Sequence, residues 1–242
     1  MGPEIQAALV DVGGTLWPDS WLSDQRAVEH REARLSAALP ALTRSQIRDL
    51  LGNVAVRAAG LGDSLTQDTD GLVIELGREL GLRLGAAEAV ALRRACCLPA
   101  QGCVELFPGG HGLLATIKQL GLVCVVISNT LWRDGADYRR DFDALGISQH
   151  VDEIISSLDI GFRKPHSAMF EAAIAAAGCP AERCSMIGNS ELKDVLPAVG
   201  MGMRVIRVAI EESKPAASAA QAVVGSLAEA AAVLRGWAVP AT

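Results

Sequence analysis

The sequence predicts an α/β fold: a parallel sheet covered by helices on both faces, with a block of helices inserted after the first strand. Three observations predict it. Residues 7–12, AALVDV, form a short apolar run that breaks at Gly13-Gly14, as a buried strand ending in a tight turn does. From about 19 to 105 the spacing is that of amphipathic helices, with no convincing strand. From 106 onward, strand-sized apolar runs alternate with helical segments, the pattern of right-handed crossovers that build a parallel sheet.

Each element follows in order. The first strand is 7–12. A helix over 23–39 carries apolar positions Ala27, Val28, Leu35 and Leu39 among many charges. Thr43-x-x-Gln46 predicts a capping box before the helix IRDLLGNVAVRAA. A third helix runs over 68–80 and stops at Gly81, and a fourth runs over 86–97; four such helices in a row make a small bundle. Then come helix 110–120, strand Leu122–Ile127, helix 138–145, strand Glu153–Ser156, helix 166–177, strand Cys184–Ile187, helix 191–199, strand Arg204–Val208 and a closing helix over 223–235. The domains expected are a core of 1–18 and 106–242, and a helical insert of 19–105.

Composition narrows the function. The 22 basic and 28 acidic side chains leave a net charge of -6. A nucleic-acid binder needs a concentrated basic face, and stacking platforms for bases need more than 9 aromatic residues. No apolar run approaches the ~18 residues of a membrane span. The N-terminus has no basic head before an apolar run, so no signal peptide is expected. Cys96, Cys97, Cys103, Cys124, Cys179 and Cys184 lack zinc-ligand spacing and read as free thiols in a reducing cytosol. The expected partners are a small-molecule substrate, no nucleic acid and no membrane, with the chain a monomer or homodimer in the cytoplasm.

Ligands of a parallel sheet bind outside the carboxyl ends of its strands. Strand one ends in Asp11-Val12-Gly13-Gly14-Thr15-Leu16, and the next in Ser128-Asn129-Thr130. After the third comes Arg163-Lys164-Pro165, and after the fourth Gly188-Asn189-Ser190, with Asp194 just beyond. A carboxylate, a hydroxyl with an amide, a lysine and an Asn/Asp pair would therefore converge on one edge.

These segments, DVGGTL, SNT, RKP and GNSELKD, resemble in order and spacing the four motifs of the haloacid dehalogenase-like (HAD) hydrolase superfamily. The resemblance covers about 150 core residues. It implies a Rossmann-like core with a helical cap inserted after motif one, and it matches the four helices of 19–105. It implies Asp11 as a carboxylate nucleophile that splits one displacement into two, and Lys164 as the cation that keeps Asp11 ionised. Ser128 would hydrogen-bond a transferred phosphoryl oxygen or a carboxylate. Gly13 and Gly14 would let backbone amides approach the substrate, with Thr15, Asn129 and Ser190 lining the same place. Asp194 would orient Lys164 or stand behind the ligands of a metal.

The chain departs from the family pattern at two positions. Phosphatases of the family carry an acid/base Asp two positions after the nucleophile; here it is Gly13, a loss that typically costs ~10²–10⁴-fold. A Mg²⁺-binding Asp of motif four is here Asn189. The remaining site would be Asp11, the Gly13 carbonyl and Asn189, so Mg²⁺ binding is expected to be weakened or absent. The leading expectation is hydrolysis of a small phosphorylated metabolite through an aspartyl-enzyme intermediate. The alternatives are a 2-haloacid dehalogenase-like C–X hydrolase and a catalytically silent, regulatory member. For the dehalogenase, Arg31, Arg34 or Arg44 would serve as a cap arginine, and Phe170 stands where that group has Tyr. A Schiff-base lysine in the cap is excluded because 19–105 contains no lysine. His30, His111, His150 and His166 read as structural, and Tyr138, without a partner, as packing. Trp17 and Trp21 stand at the exit to the cap, as lining of the entrance or as hinge packing.

Overall fold

The computed structural model describes residues 4–19, 25–60, 68–210, 212 and 217–238. Among them six strands form one sheet: β1 Ala7–Val10, β2 Val123–Ser128, β3 Glu153–Ser156, β4 Cys184–Gly188, β5 Arg204–Val208 and β6 Ala222–Val224. Their order across the sheet is β3-β2-β1-β4-β5-β6, and every pairing is parallel. In β1, Ala7 and Val10 stand beside Val123 and Val126 on one side, and beside Cys184 and Ile187 on the other. The chain grows outward from β1 through β2 to β3, then returns to lay β4 against the opposite side of β1. That reversal opens a crevice at the carboxyl end of β1, where such sheets bind ligands. All four residues of β1 are buried on both faces, which explains an apolar run without alternation.

Between β1 and β2 lie α1 Gln25–Ala38, α2 Arg44–Gly60, α3 Thr69–Glu79 and α4 Ala86–Cys96. They share a core of their own, including Leu35, Ile47, Leu50, Val73, Leu76 and Leu92. The capping box of α2 closes in both directions. The Thr43 N–H donates to Gln46 Oε1 at 2.9 Å, and the Gln46 N–H donates to Thr43 Oγ1 at 3.3 Å. α3 ends just before Gly81, whose φ is +73°, a conformation glycine adopts without Cβ strain.

Further helical segments follow, among them α5 Gly110–Gln119, α6 Gly135–Ala144, α7 Ser157–Ile160, α8 Ser167–Ala177, a π turn over Glu191–Val195, α9 Leu196–Gly200 and α10 Leu227–Ala238. Alternate strand residues point to opposite faces and feed two layers. Ala8, Val10, Cys124 and Val126 pack with Leu113, Phe142 and Leu234. Ala7, Leu9, Val125 and Ile127 pack with Met169, Phe170 and Ala198.

Several elements differ from the sequence reading, among them β1, which stops at Val10, and α7, which that reading lacks. α6 starts at Gly135 rather than 138, because Asp134 and Asp137 form a capping box one turn earlier. The helix expected over 191–199 opens as a π turn, with the Asp194 and Val195 N–H groups both reaching the Ser190 carbonyl. The helix expected over 223–235 is displaced to 227–238, and Ala222–Val224 is a strand instead. Three residues pairing with β5 alone leave too short a pattern to separate from the Ala-rich helix behind it.

A buried ion pair ties the returning chain to the sheet domain. Arg133 Nε donates to Asp141 Oδ2 at 2.8 Å, and the same guanidinium donates to the Leu98 carbonyl. Asp141 Oδ1 accepts the Ala100 N–H at 2.8 Å. The segment leaving α4 is thus fastened to α6 by a charge pair whose side chains are 5% and 8% exposed.

Candidate active site

Asp11 is placed by the sheet itself: its N–H donates to the Ile187 carbonyl of β4 at 2.9 Å. The following turn is tight. The N–H groups of Thr15, Leu16 and Trp17 all converge on the Val12 carbonyl, and Gly14 takes φ +71°, where an L side chain would be strained. That turn aims Thr15 back at the strand end, and its Oγ1 donates to Asp11 Oδ2 at 2.9 Å.

Lys164 arrives from the far side of β2. Its ammonium donates to Asp11 Oδ1 at 2.6 Å, to Asp194 Oδ1 at 2.7 Å and to the Ile127 carbonyl at 3.0 Å. Asp194 Oδ2 accepts the Ser190 N–H at 3.0 Å. All three charged groups are buried. Two carboxylates therefore share one ammonium, leaving one net negative charge in a buried setting. Burial opposes the charge on Lys164, but Asp11 and Asp194 outweigh it and hold its pKa above the ordinary lysine value. Burial pushes the Asp194 carboxyl up to about 6, against the pull of Lys164 and with the repulsion of Asp11.

The neighbouring strand ends supply the walls. The Asn129 side chain clamps the Lys164 backbone, donating from Nδ2 to its carbonyl at 2.9 Å and accepting its N–H on Oδ1 at 2.7 Å. Ser128 Oγ lies 2.8 Å from the Tyr138 hydroxyl. Tyr138 is therefore not a packing residue without a partner; it also stacks on Trp17, with ring centroids 6.2 Å apart. The sequence held no signal for this pair, because Tyr138 reaches Ser128 only through the early start of α6. Ser190 serves its own turn, its Oγ accepting the Lys193 N–H at 3.2 Å. The Asn189 amide lies against Gly14, where any side chain would collide with it.

A cleft of about 210 Å³ opens beside this cluster, lined among others by Gly13, Trp17, Asp19, Ser128 and Arg163. Burial lowers the Arg163 pKa from its ordinary value. Trp17 both lines the cleft and packs in the core, while Trp21 lies outside the described residues. A larger cleft of about 730 Å³, lined by Arg34, Arg94, Asp137 and Arg140 among others, contains none of the strand-end residues.

Several expected ligands are engaged elsewhere. Arg31 donates to the Cys96 carbonyl at 3.3 Å, and Arg34 to the Ala95 and Arg94 carbonyls at 2.9 and 3.0 Å. Both thus satisfy the orphan carbonyls at the end of α4. Arg44 is exposed at the start of α2. Phe170 is fully buried in the core beneath the sheet, away from the cleft. His166 caps α8, accepting the Ala168 N–H. The six cysteines are free, and burial pushes the Cys96 and Cys124 thiols up to about 12, which leaves them inert as nucleophiles. For a metal, the donors expected from the sequence are the Asp11 carboxylate, the Gly13 carbonyl and the Asn189 amide. Both Asp11 oxygens already accept hydrogen bonds, and no group of three His, Cys, Asp or Glu among the described residues is placed to hold an ion. This set fits a hard divalent cation poorly.

Comparison with known proteins gives consistent relatives. A family model described as haloacid dehalogenase-like hydrolase matches residues 5–202. A protein named glyceraldehyde 3-phosphate phosphatase, from Methanothermobacter thermautotrophicus, is 27% identical over 208 residues, spanning 84% of this chain and 85% of that protein. Among solved structures, a HAD phosphatase from Thermococcus onnurineus superposes with a TM-score of 0.65 at 18% identity, covering 97% of this chain and 100% of that one. A 2-haloacid dehalogenase from Pseudomonas syringae superposes with a TM-score of 0.66 at 20% identity, covering 96% and 99%. At those identities the two structures speak for the fold.

Proposed function

Since the chain belongs to the haloacid dehalogenase-like hydrolase family, we propose that it hydrolyses a small phosphorylated metabolite through an aspartyl-enzyme intermediate on Asp11. The observation that carries this reading is the buried Asp11, held between the Lys164 ammonium and the Thr15 hydroxyl beside a cleft of metabolite size. A carboxylate hydrogen-bonded to a cation and a hydroxyl is a nucleophile with its orientation already fixed.

In this reading Asp11 attacks phosphorus. The Lys164 ammonium and the Gly13 backbone amide oppose the growing charge on the phosphoryl oxygens. Ser128 donates to one of those oxygens, relayed by the Tyr138 hydroxyl behind it. Asp194 and Asn129 are positioning residues: one holds the Lys164 ammonium, the other its backbone. Ser190 and Asn189 shape the far wall. Arg163 adds a guanidinium to the cleft, which suits an anionic substrate. Residues 19–105 act as the cap over the crevice of a core made of 1–18 and 106–242, in a cytoplasmic enzyme. Because the donor set fits Mg²⁺ poorly, no step is routed through a metal.

The relative named as a phosphatase supports a phosphate ester over a halide. So does the fate of the side chains a 2-haloacid reading would use, since Arg31 and Arg34 are spent on α4 and Phe170 is buried. The test is a screen of phosphate esters and 2-haloacids, with and without added Mg²⁺. Turnover of an ester that disappears in Asp11→Asn supports the reading; turnover of haloacids alone overturns it.

A further inference from the structure

Displacement at phosphorus leaves a proton to be supplied. An alkoxide leaves poorly unless it is protonated, and water attacks an aspartyl phosphate poorly unless it is deprotonated. Position 13, next to the nucleophile, is a glycine and offers no such group. We propose that the Asp19 carboxyl is the acid and base of this site, brought over Gly13 by the loop that follows β1. The inference rests on the phosphatase reading.

Geometry points to it. A Cβ placed on Gly13 would collide with Asp19 Oδ1 and stand 3.2 Å from its Cγ and 3.6 Å from Oδ2. A Cβ on Gly14 would stand 3.4 Å from Asp19 Oδ2. The Asp19 carboxylate therefore lies across the Gly13-Gly14 backbone, in the volume that a side chain at position 13 would fill. The cause is local. Gly13 pairs with Trp17 in an isolated bridge, and the Gly14 N–H donates to the Trp17 carbonyl at 2.7 Å. That reversal carries residues 18 and 19 back over the turn. Gly13 itself is not among the glycines with positive φ, so its backbone would accept a side chain; Asp19 is what occupies the space. Asp19 also lines the same cleft as Gly13 and Ser128, facing whatever enters.

The proton balance closes. In the first step an Asp11 oxygen bonds to phosphorus, the bond from phosphorus to the leaving oxygen breaks, and that oxygen takes the proton of the Asp19 carboxylic acid. In the second step the Asp19 carboxylate takes a proton from water as the water oxygen bonds to phosphorus. The Asp11–phosphorus bond then breaks, releasing inorganic phosphate and restoring both aspartates.

The test measures turnover of an alkyl phosphate and of nitrophenyl phosphate by the wild type, Asp11→Asn, Asp19→Asn and Asp19→Ala, with a thermal melt of each. Asp19 is exposed, so both of its variants are expected to fold. Their alkyl phosphate turnover should fall by about 10²–10⁴-fold. Nitrophenolate leaves without a proton, so its first equivalent should still be released quickly, as a burst followed by a slow steady state. Adding Gly13→Asp to Asp19→Ala should recover about tenfold or more, because the vacated volume then accepts the new carboxylate. If alkyl phosphate turnover in Asp19→Asn stays within a few fold of wild type while Asp11→Asn is inactive, the inference is overturned and the phosphatase reading stands. If Gly13→Asp raises the rate with Asp19 intact, the shared volume is disproved and the inference fails. If the wild type turns over neither ester, both fall.

Discussion

Arg133 meets Asp141 one to one, with further hydrogen bonds tying the pair to the Leu98 carbonyl and the Ala100 N–H. Lys164 meets Asp11 and Asp194 one to two. Both clusters are buried and both lie near the carboxyl edge of the sheet, yet they are built for different ends. The first is neutral, and it fastens the chain returning from the helices to α6. The second carries an excess negative charge that the fold does not neutralise, beside the cleft lined by Gly13, Trp17 and Ser128. Burying an unbalanced charge is costly, so its persistence points to use, whereas a balanced pair needs no explanation beyond position.

The comparison can be broken most directly at Asp11. Asp11→Asn turns the open cluster into a neutral one of nearly the same shape. Turnover of a phosphate ester should drop by at least about 10³-fold, while the melting temperature holds or rises. A melt that falls sharply together with activity would mean that the charge serves the fold after all.

The opposite result is expected at the closed pair. Asp141→Asn leaves the Arg133 guanidinium buried without a counter-charge and should destabilise the protein by about 3–5 kcal/mol in urea titration. Arg133→Met combined with Asp141→Leu should recover most of that loss. The folded single variant should keep the wild-type dependence of rate on pH.

That dependence sharpens the contrast further. The raised Asp194 carboxyl, at about 6, takes up a proton as the pH falls through that value. Lys164 then has Asp11 as its one remaining anionic partner and draws charge from the nucleophile, so kcat should decline below about pH 6. Asp194→Asn should lack this limb. The sign for stability is opposite: the folded state holds a proton that the unfolded chain releases. The group's contribution is therefore greatest below its ordinary value and is lost as the pH rises through about 6. The smallest effect is expected at Asn189. Asn189→Asp adds an anionic oxygen beside the Gly14 turn and should tighten Mg²⁺ by about tenfold in calorimetry; equal affinities would remove Asn189 from any metal site.

The strand ends were readable because a parallel sheet forces them together. Once AALVDV, LVCVVI and CSMI are strands, Asp11, Ser128 and Asn189 must share an edge, and Lys164 follows from the crossover into α8. The four helices of the insert were readable from period and caps, above all Thr43 and Gln46. What stayed hidden depends on chain paths that have no period. Asp19 lies over Gly13 because of one isolated bridge to Trp17, and Tyr138 meets Ser128 because α6 begins a turn early. Arg133 and Asp141, eight apart, fit no helical spacing and meet only because the chain bends between them. β6 escaped because its three residues are too few to show a strand period ahead of the Ala-rich helix.

The sheet's two outer strands bear on how the chain behaves in a crowded solution. β3 has four residues and β6 three, and each is hydrogen-bonded on one side only. A free edge is a template on which another molecule's strand can grow into an aggregate, and short or charged edges are how natural sheets discourage it. Here Glu153 stands exposed at the start of β3, and β6 is too brief to hold an incoming strand in register. The six-stranded sheet thus offers little purchase for edge-to-edge growth, and lengthening β6 past Gly225 would be expected to create it.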